Sequence, residues 1–282
     1  MDTALGVPPS SPLPPQSKSL FARVSGLSSK PPMVLYLGFL LVLGAWGAGN
    51  WTLLWRGLLI VALYTGADLA LSKWREGKFI FPSSAWISGL IIALLLAPAA
   101  SWAVVVLAPV VASLGKHLIR YRRKHVFNPA ASALVALGFL FPSAGIVSWW
   151  GAAWGWIPLA IIALSGIVTV FRVKRWKTAL TFLVVYLGGT SILLLSRGGS
   201  VGGLRTLLFD GTLFFFATVM LIEPMTTAYQ PAWLRTAFGG GVGALTLLFS
   251  FFGSALPTPD PFLVSLILGN LGSTIASRFI RR

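Results

Sequence analysis

Ten apolar stretches divide residues 33–280, at about 33–49, 53–72, 84–97, 101–118, 127–141, 150–171, 178–195, 207–223, 233–252 and 262–280, with charged residues kept at or near their ends. A water-soluble core of 282 residues cannot enclose that much apolar surface, since 56% of the chain is hydrophobic and only 10% is charged. The pattern predicts an all-α integral membrane protein of about ten transmembrane helices. A formal charge of +16 would suggest nucleic acid as the partner of a soluble protein. Here the Lys and Arg gather at the edges of apolar stretches, as membrane topology requires, so the expected partner is a lipid bilayer and not nucleic acid.

Residues 1–32, with PPSSPLPPQSKS among them, lack an apolar core and lack the order of basic then apolar regions that marks a signal peptide. They read as a disordered cytoplasmic tail before a polytopic membrane domain at 33–282. If the N-terminus is inside and every stretch crosses, only Arg56, Arg197 and Arg205 of the 22 Lys and Arg fall outside. Both termini are then cytoplasmic and the expected location is a bacterial inner (plasma) membrane. Cysteine is absent, which excludes disulfides, thiolate-held iron–sulfur clusters and thiol nucleophiles.

A spanning helix needs about 20 residues. The stretches 84–97, 127–141 and 207–223 fall short, and each abuts helix-breaking or polar residues: FPSSAW at 81–86, FNPAAS at 127–132 and IEPMTTAYQP at 222–231. Such discontinuous helices are tolerated where their freed backbone groups are buried in protein or line a wet cavity. Ten stretches divide into halves at about 33–141 and 150–280, and five crossings per half make the second half inverted. The third stretch of each half, 84–97 and 207–223, then points to a central site at a pseudo-twofold axis. No residue-level similarity between the halves accompanies this pattern.

Ionisable groups at membrane depth are costly and are functional candidates. Of six acids, Asp68, Asp210 and Glu223 lie within or at the edge of apolar stretches. Asp68 has Lys73 nearby and Asp210 has Arg205, so a structural pair competes with an ion-pathway role for each. Glu223 has no basic neighbour in sequence and precedes Pro224, Thr226 and Thr227, which favours a place in an ion pathway. His117 and His125 flank a basic loop with no acid between them, and read as solvated or lipid-facing, not as metal ligands. Arg120, Arg122, Arg123 and Lys124 read as topology-setting, lipid-contacting residues. Trp149, Trp150, Trp154 and Trp156 read as an interfacial belt. Gly239, Gly240, Gly241 and Gly243 predict close helix approach, not a phosphate loop, since no strand precedes them.

Asn128 and Pro129 predict a helix start, with Asn128 as N-cap and Pro129 in the first turn, where its missing amide hydrogen costs nothing. Such a start inside the protein would aim a positive dipole end at a central anion or carbonyl. At the cytoplasmic face it would merely open an ordinary helix.

Three segments carry a resemblance: PSSAWISGLIIALLLAP at 82–98, GKHLIRYRRKHVFNPAASALV at 115–135 and FFFATVMLIEPMTTAYQPAWLRTAFGGGVGAL at 214–245. In this order they resemble the NqrB/RnfD family, the membrane subunits of the sodium-translocating NADH:quinone reductase and of Rnf-type electron transport complexes. The resemblance spans about Met33 to Phe279. It implies a ten-helix inverted repeat with discontinuous helices, flavin (FMN or riboflavin) binding, electron transfer linked to ion movement, and redox partner subunits. The matching positions would bring Ser83, Ser84, Asn128, Pro129, Thr226 and Thr227 to the flavin. Two departures matter. The family's covalent attachment stretch, [ST]-G-A-T, is missing; Thr65-Gly66-Ala67-Asp68 ends in an acid and Ser165 to Thr169 has the wrong interior, so the flavin is expected to be non-covalent. The acid of the family's A-T-D-P is Glu223 here, which marks a divergent or stand-alone member. A non-redox permease or channel for a small solute or ion, using the same fold, is the alternative expectation, and a scaffold for another membrane enzyme is a third.

Overall fold

The structure, a computed structural model, describes residues 30–78, 83–122, 124–228, 230–253 and 258–280, the side chains of Val201, Leu204 and Leu207 excepted. Most of the tail assigned to 1–32 lies outside these residues, as do Pro82, Arg123 and Tyr229 of the quoted segments. The first helix, α1, spans Lys30–Gly47 and so takes the last three residues of that tail. Pro31 and Pro32 sit in its first turn, where no backbone donor is lost.

The chain is helical almost throughout. It continues with α2 (Thr52–Glu76), α3 (Ser83–Leu95), α4 (Trp102–Leu118), the two-residue strands β1 (Arg120–Tyr121) and β2 (Lys124–His125), α5 (Pro129–Leu140), α6 (Trp156–Arg172) and α7 (Trp176–Ser196). Then come α8 (Val201–Leu208), α9 (Gly211–Phe215) running into a π-helical turn at Phe216–Met220, α10 (Ala232–Phe251) and α11 (Pro261–Phe279). β1 and β2 pair antiparallel, Arg120 opposite His125. Five helices, α1, α2, α7, α10 and α11, are long and apolar enough to cross a membrane. Their outward faces carry exposed Leu35, Phe39, Val184, Ile192 and Phe279, apolar surface that water would reject and lipid would accept. Membrane embedding follows from both observations.

Contacts at the helix termini define two ends of the bundle. At one, Lys116 meets Ser84, Thr178 meets Arg235 and the Arg278 guanidinium lies over the Tyr121 ring. At the other, Ala97 N–H donates to the Ile146 carbonyl, Gly138 abuts Pro259 and Arg197 lies over Phe251. α3, α7 and α10 begin at the first end, where α4 and α11 finish, and α5, α7 and α10 finish at the other. Lys116, Arg120, Lys124, Arg175, Arg235 and Arg278 gather at the first, the basic end, while Arg56 and Arg197 lie at the other.

Two of the shorter helices are buried in the bundle. α3 is buried from Ser88 to Leu95, and the α9 and π-helical turns from Gly211 to Met220 are buried nearly as fully. The expected stretch 207–223 is thus divided: Asp210 caps a new helix by accepting from Thr212 N–H at 2.8 Å, which ends α8 and starts α9. The stretch at 150–171 is also shorter as a helix than expected, because residues 150–155 form turns and α6 begins at Trp156.

The interfacial belt assigned to four tryptophans is corrected in the same region. Trp149 is buried, donates to Asp260 at 2.7 Å and meets Phe215, Phe216 and Phe262 edge-on. Trp150 donates to the Ala93 carbonyl at 2.9 Å and packs against Gly44, and Trp154 packs against Gly47. Only Trp156 faces outward. Indole joins a large apolar face to one donor, so a buried acceptor holds it inside as readily as the interface does.

The glycine-rich start of α10 packs as expected. A side chain at Gly239 would collide with the Thr178 carbonyl, and one at Gly243 would stand 3.0 Å from the Phe182 carbonyl. Gly240 and Gly241 face more open space.

Candidate functional site

The three segments that carry the resemblance meet at the basic end of the bundle. Asp68, on α2 and buried, accepts from Lys116 Nζ at 2.8 and 2.9 Å, and its Oδ1 lies 2.8 Å from His117 Nε2. Lys116 Nζ also donates to Ser84 Oγ at 2.9 Å, tying the start of α3 to the end of α4. The Arg75 guanidinium donates to the His117 carbonyl. Asp68 is therefore not paired along its own helix as its nearness to Lys73 suggested; Lys73 Nζ reaches the Gly77 carbonyl at 3.2 Å.

Glu223 forms the second half of the site. Its Oε1 lies 2.9 Å from His125 Nε2, while its Oε2 is buried with no hydrogen-bond partner. The π-helical turn before it adds a residue to the usual helical ring, an arrangement frequent at functional positions because it re-aims side chains. Thr226 Oγ1 donates to the Glu223 carbonyl at 3.2 Å, and Thr226 and Thr227 are both buried. Tyr64, one turn before Asp68 on α2, is fully buried.

Both histidines overturn the expectation of solvated loop residues: His117 is 4% and His125 8% exposed. A buried carboxylate is tolerated where a donor or cation meets it, and two imidazoles supply that role. Each carboxylate–imidazole pair can also hold a proton in either of two positions. His117 Nδ1, like Glu223 Oε2, is buried without a partner, so the pairs have open ends. Among the described residues no three His, Asp or Glu side chains come together as metal ligands would.

Asn128 caps α5 as expected, accepting from Ala131 N–H at 3.0 Å with Pro129 as the first helical residue. α5 has 12 residues, which at about 1.5 Å each gives a rise of about 18 Å, too short to cross about 30 Å of hydrocarbon. Asn128 is 3% exposed, so the helix starts inside the protein and not at an open face. Ser83 begins α3 beside Ser84. Asp210 stands apart: it caps α9 at the opposite end of the bundle.

Beside the His125–Glu223 contact lies a small open cleft, lined by Tyr121, Lys124, His125, Val126, Met225, Thr226, Gln230, Thr274 and Ser277. The Gln230 amide oxygen is buried with no partner. From the cleft a polar stripe runs along α11 through Ser277, Thr274 and Ser273 to Asn270, whose amide nitrogen and oxygen are both unpartnered and which is 0% exposed. Sequence reasoning missed this stripe, although the spacing of Asn270, Ser273 and Ser277 places one polar face on the last apolar stretch. The adjacent Lys116 and His117 just inside the end of an apolar stretch were a second available signal.

In comparisons with known proteins, no family model and no curated protein matches the chain.

Proposed function

We propose that the protein is the membrane subunit of an electron-transport complex of the RnfD/NqrB type, binding flavin non-covalently and linking electron transfer to ion movement. The observation that carries this reading is the convergence of three distant segments: Ser84 reaches Lys116, and His125, beyond it on the same segment, reaches Glu223. Segments that share a family-like order in sequence thus share one place in space. Ten crossings in two inverted halves complete the proposal. Its support is that helices both begin and finish at the basic end, and that α3 and α9, which lie within the third apolar stretch of each half, are buried. The basic end then faces the cytoplasm of a bacterial cell, with the redox partner subunits docking there.

The cleft tests the fit of the flavin. The cleft is too small to enclose a ring system, so a flavin would meet its polar lining from the open side, with only an edge of the ring reaching Gln230. Gln230 offers an unpartnered acceptor for a ring imide hydrogen, and Lys124 supplies positive charge at the rim. A flavin there would supply one- and two-electron chemistry. The protein's own residues do the remaining work: Glu223 and His125 hold or release a proton or cation beside the cleft, and Lys116 and His117 hold the Asp68 carboxylate in place by hydrogen bonds.

Flavin content of the purified, detergent-solubilised chain decides this reading. Absorption and fluorescence before and after denaturation should show flavin that is present and released. A folded chain that takes up neither FMN nor riboflavin on reconstitution overturns it.

The polar stripe of α11 favours a second reading, a permease for a small ion or solute. Asn270 and the hydroxyls beyond it continue from the cleft toward the middle of the helix without any redox group. Ion flux in sealed vesicles with no electron donor distinguishes the two.

A further inference from the structure

We propose that Asn270, the middle residue of α11, is the binding station for a small uncharged molecule that both donates and accepts hydrogen bonds, reached from the basic end and closed off from the other. The buried face of α11 changes character at this residue. Leu263 and Leu266 occupy it on one side and Ser273, Thr274 and Ser277 on the other, and the helical spacing keeps all six on one line. Each is at least nine-tenths buried. Ser277 and Thr274 open into the cleft beside His125. From Ser277 to Asn270 the helix rises about 10 Å, which puts the carboxamide near the middle of a hydrocarbon layer of about 30 Å.

A carboxamide has two donor hydrogens and acceptor lone pairs on its oxygen. In Asn270 the side-chain nitrogen and oxygen are both buried without a partner, and leaving such groups unmet costs more than a made hydrogen bond returns. The neighbouring hydroxyls do not meet them: Ser273 Oγ donates to the main-chain carbonyl of Asn270 at 3.0 Å and Ser277 Oγ to that of Thr274 at 2.8 Å. Their lone pairs remain as acceptors along the line. A cation would use the Asn270 oxygen and leave its nitrogen unmet, and an anion the reverse. A neutral amide or hydroxyl compound, or water, satisfies both.

The other end of the line is shut. Phe262, in the first turn of α11, packs its ring against Phe216, Tyr186 and Trp149, with centroids 5.1, 5.4 and 5.8 Å apart. Asp260 fastens this cluster, since its two oxygens accept from Trp149 Nε1 at 2.7 Å and from Leu263 N–H at 2.9 Å. Along α11, Leu263 and Leu266 separate Phe262 from Asn270. A molecule entering at the basic end therefore stops at the carboxamide, as in an alternating-access carrier with its far gate closed. This rests on the permease reading and names what it carries.

Light scattering by sealed vesicles holding the full chain tests it, with a gradient of urea in one arm, of glycerol in a second, and of sucrose, which reads water, in a third. Wild-type vesicles should respond faster than protein-free vesicles in at least one arm. Acceleration with urea alone assigns an amide, with glycerol alone a polyol, and with sucrose alone water. Asn270→Leu should cut the protein-dependent rate about tenfold, the worth of about one or two lost hydrogen bonds. Asn270→Ser, which keeps a donor and an acceptor, should cut it less. The thermal midpoint in detergent is a readout independent of flux: a dry, unmet amide would make Asn270→Leu more stable than wild type, whereas one met by water or solute would leave the midpoint unchanged or lower. A raised midpoint, equal rates in wild type and Asn270→Leu, or no acceleration in any arm overturns the proposal. Ion flux that survives any of these results keeps the permease reading standing without it.

Discussion

His125 Nε2 and Glu223 Oε1 lie 2.9 Å apart, joining positions separated by 98 residues. This contact brings a basic loop against a helix-breaking loop and leaves the second carboxylate oxygen facing inward with no partner. A buried carboxylate oxygen without a partner is a place where a cation or a proton donor would be met. Glu223→Gln keeps an acceptor for His125 and removes the charge. The expected result is normal insertion and a normal elution profile with loss of ion coupling in sealed vesicles. Normal coupling in this variant removes Glu223 from the pathway.

Removing the other partner reads stability instead of transport. In His125→Ala both Glu223 oxygens lack a protein partner, and the loss should be about 1–3 kcal/mol, the usual cost of an orphaned buried polar group. Thermal unfolding in detergent measures it. Glu223→Gln on the His125→Ala background should recover part of the loss, since a neutral amide is less costly to bury than a carboxylate.

Asp68 and Lys116 should be strongly coupled. Asp68→Asn leaves Lys116 and His117 without their carboxylate, and Lys116→Met leaves Asp68 with His117 alone; breaking a buried pair costs about 3–5 kcal/mol. Replacing both removes the uncompensated charge. The double variant should therefore be more stable than the sum of the single losses allows, and simple additivity in a double-mutant cycle would show that the 2.8 Å contact contributes little.

The α7–α10 contact offers a test with opposite signs on one helix. Alanine is favoured over glycine in a helix interior by about 1 kcal/mol, so Gly241→Ala, facing open space, should be neutral or stabilising. At Gly239 the added methyl meets the Thr178 carbonyl and a backbone that cannot swing aside. Overpacking there should cost about 1–3 kcal/mol and lower the thermal midpoint. Equal behaviour of the two variants would remove the close approach.

Local signals were the ones legible in the sequence. The Asn128 cap joins groups three residues apart, and helix starts at Ser83 and Pro129 depend on neighbours alone. The edges of apolar stretches located every long helix, because lipid exposure acts on each segment separately. What stayed hidden depends on which helices meet. Asp68 was matched to Lys73 because both lie on one helix, yet its partners come from α4, forty-eight and forty-nine residues on. The histidines looked solvated for the same reason: no acid lies near them until the chain is folded. Trp149 was assigned to the interface, and only Asp260, more than a hundred residues away, explains why it is inside. Flavin binding and electron transfer rest on the resemblance alone.

The stripe on α11 can be read directly, because the chain contains no cysteine and any introduced thiol is unique. Ser277 and Thr274 line the cleft, and Asn270 lies farther along the same helix with both polar atoms unpartnered. Two empty hydrogen-bonding atoms in a water-free site are costly, and a site with polar neighbours invites water to meet them. Cysteine at 277, 274 and 270 should therefore react with a small cationic methanethiosulfonate, fastest at 277 and slowest at 270. Leu271→Cys, on the exposed apolar face of the same helix, should stay unreactive because thiolate does not form in lipid. A larger anionic reagent should reach 277 and stop before 270 if the stripe admits water and cations alone. Equal reactivity at 270 and 271 would show that the stripe is only a packing surface, and the permease reading would then lose the observation that favours it.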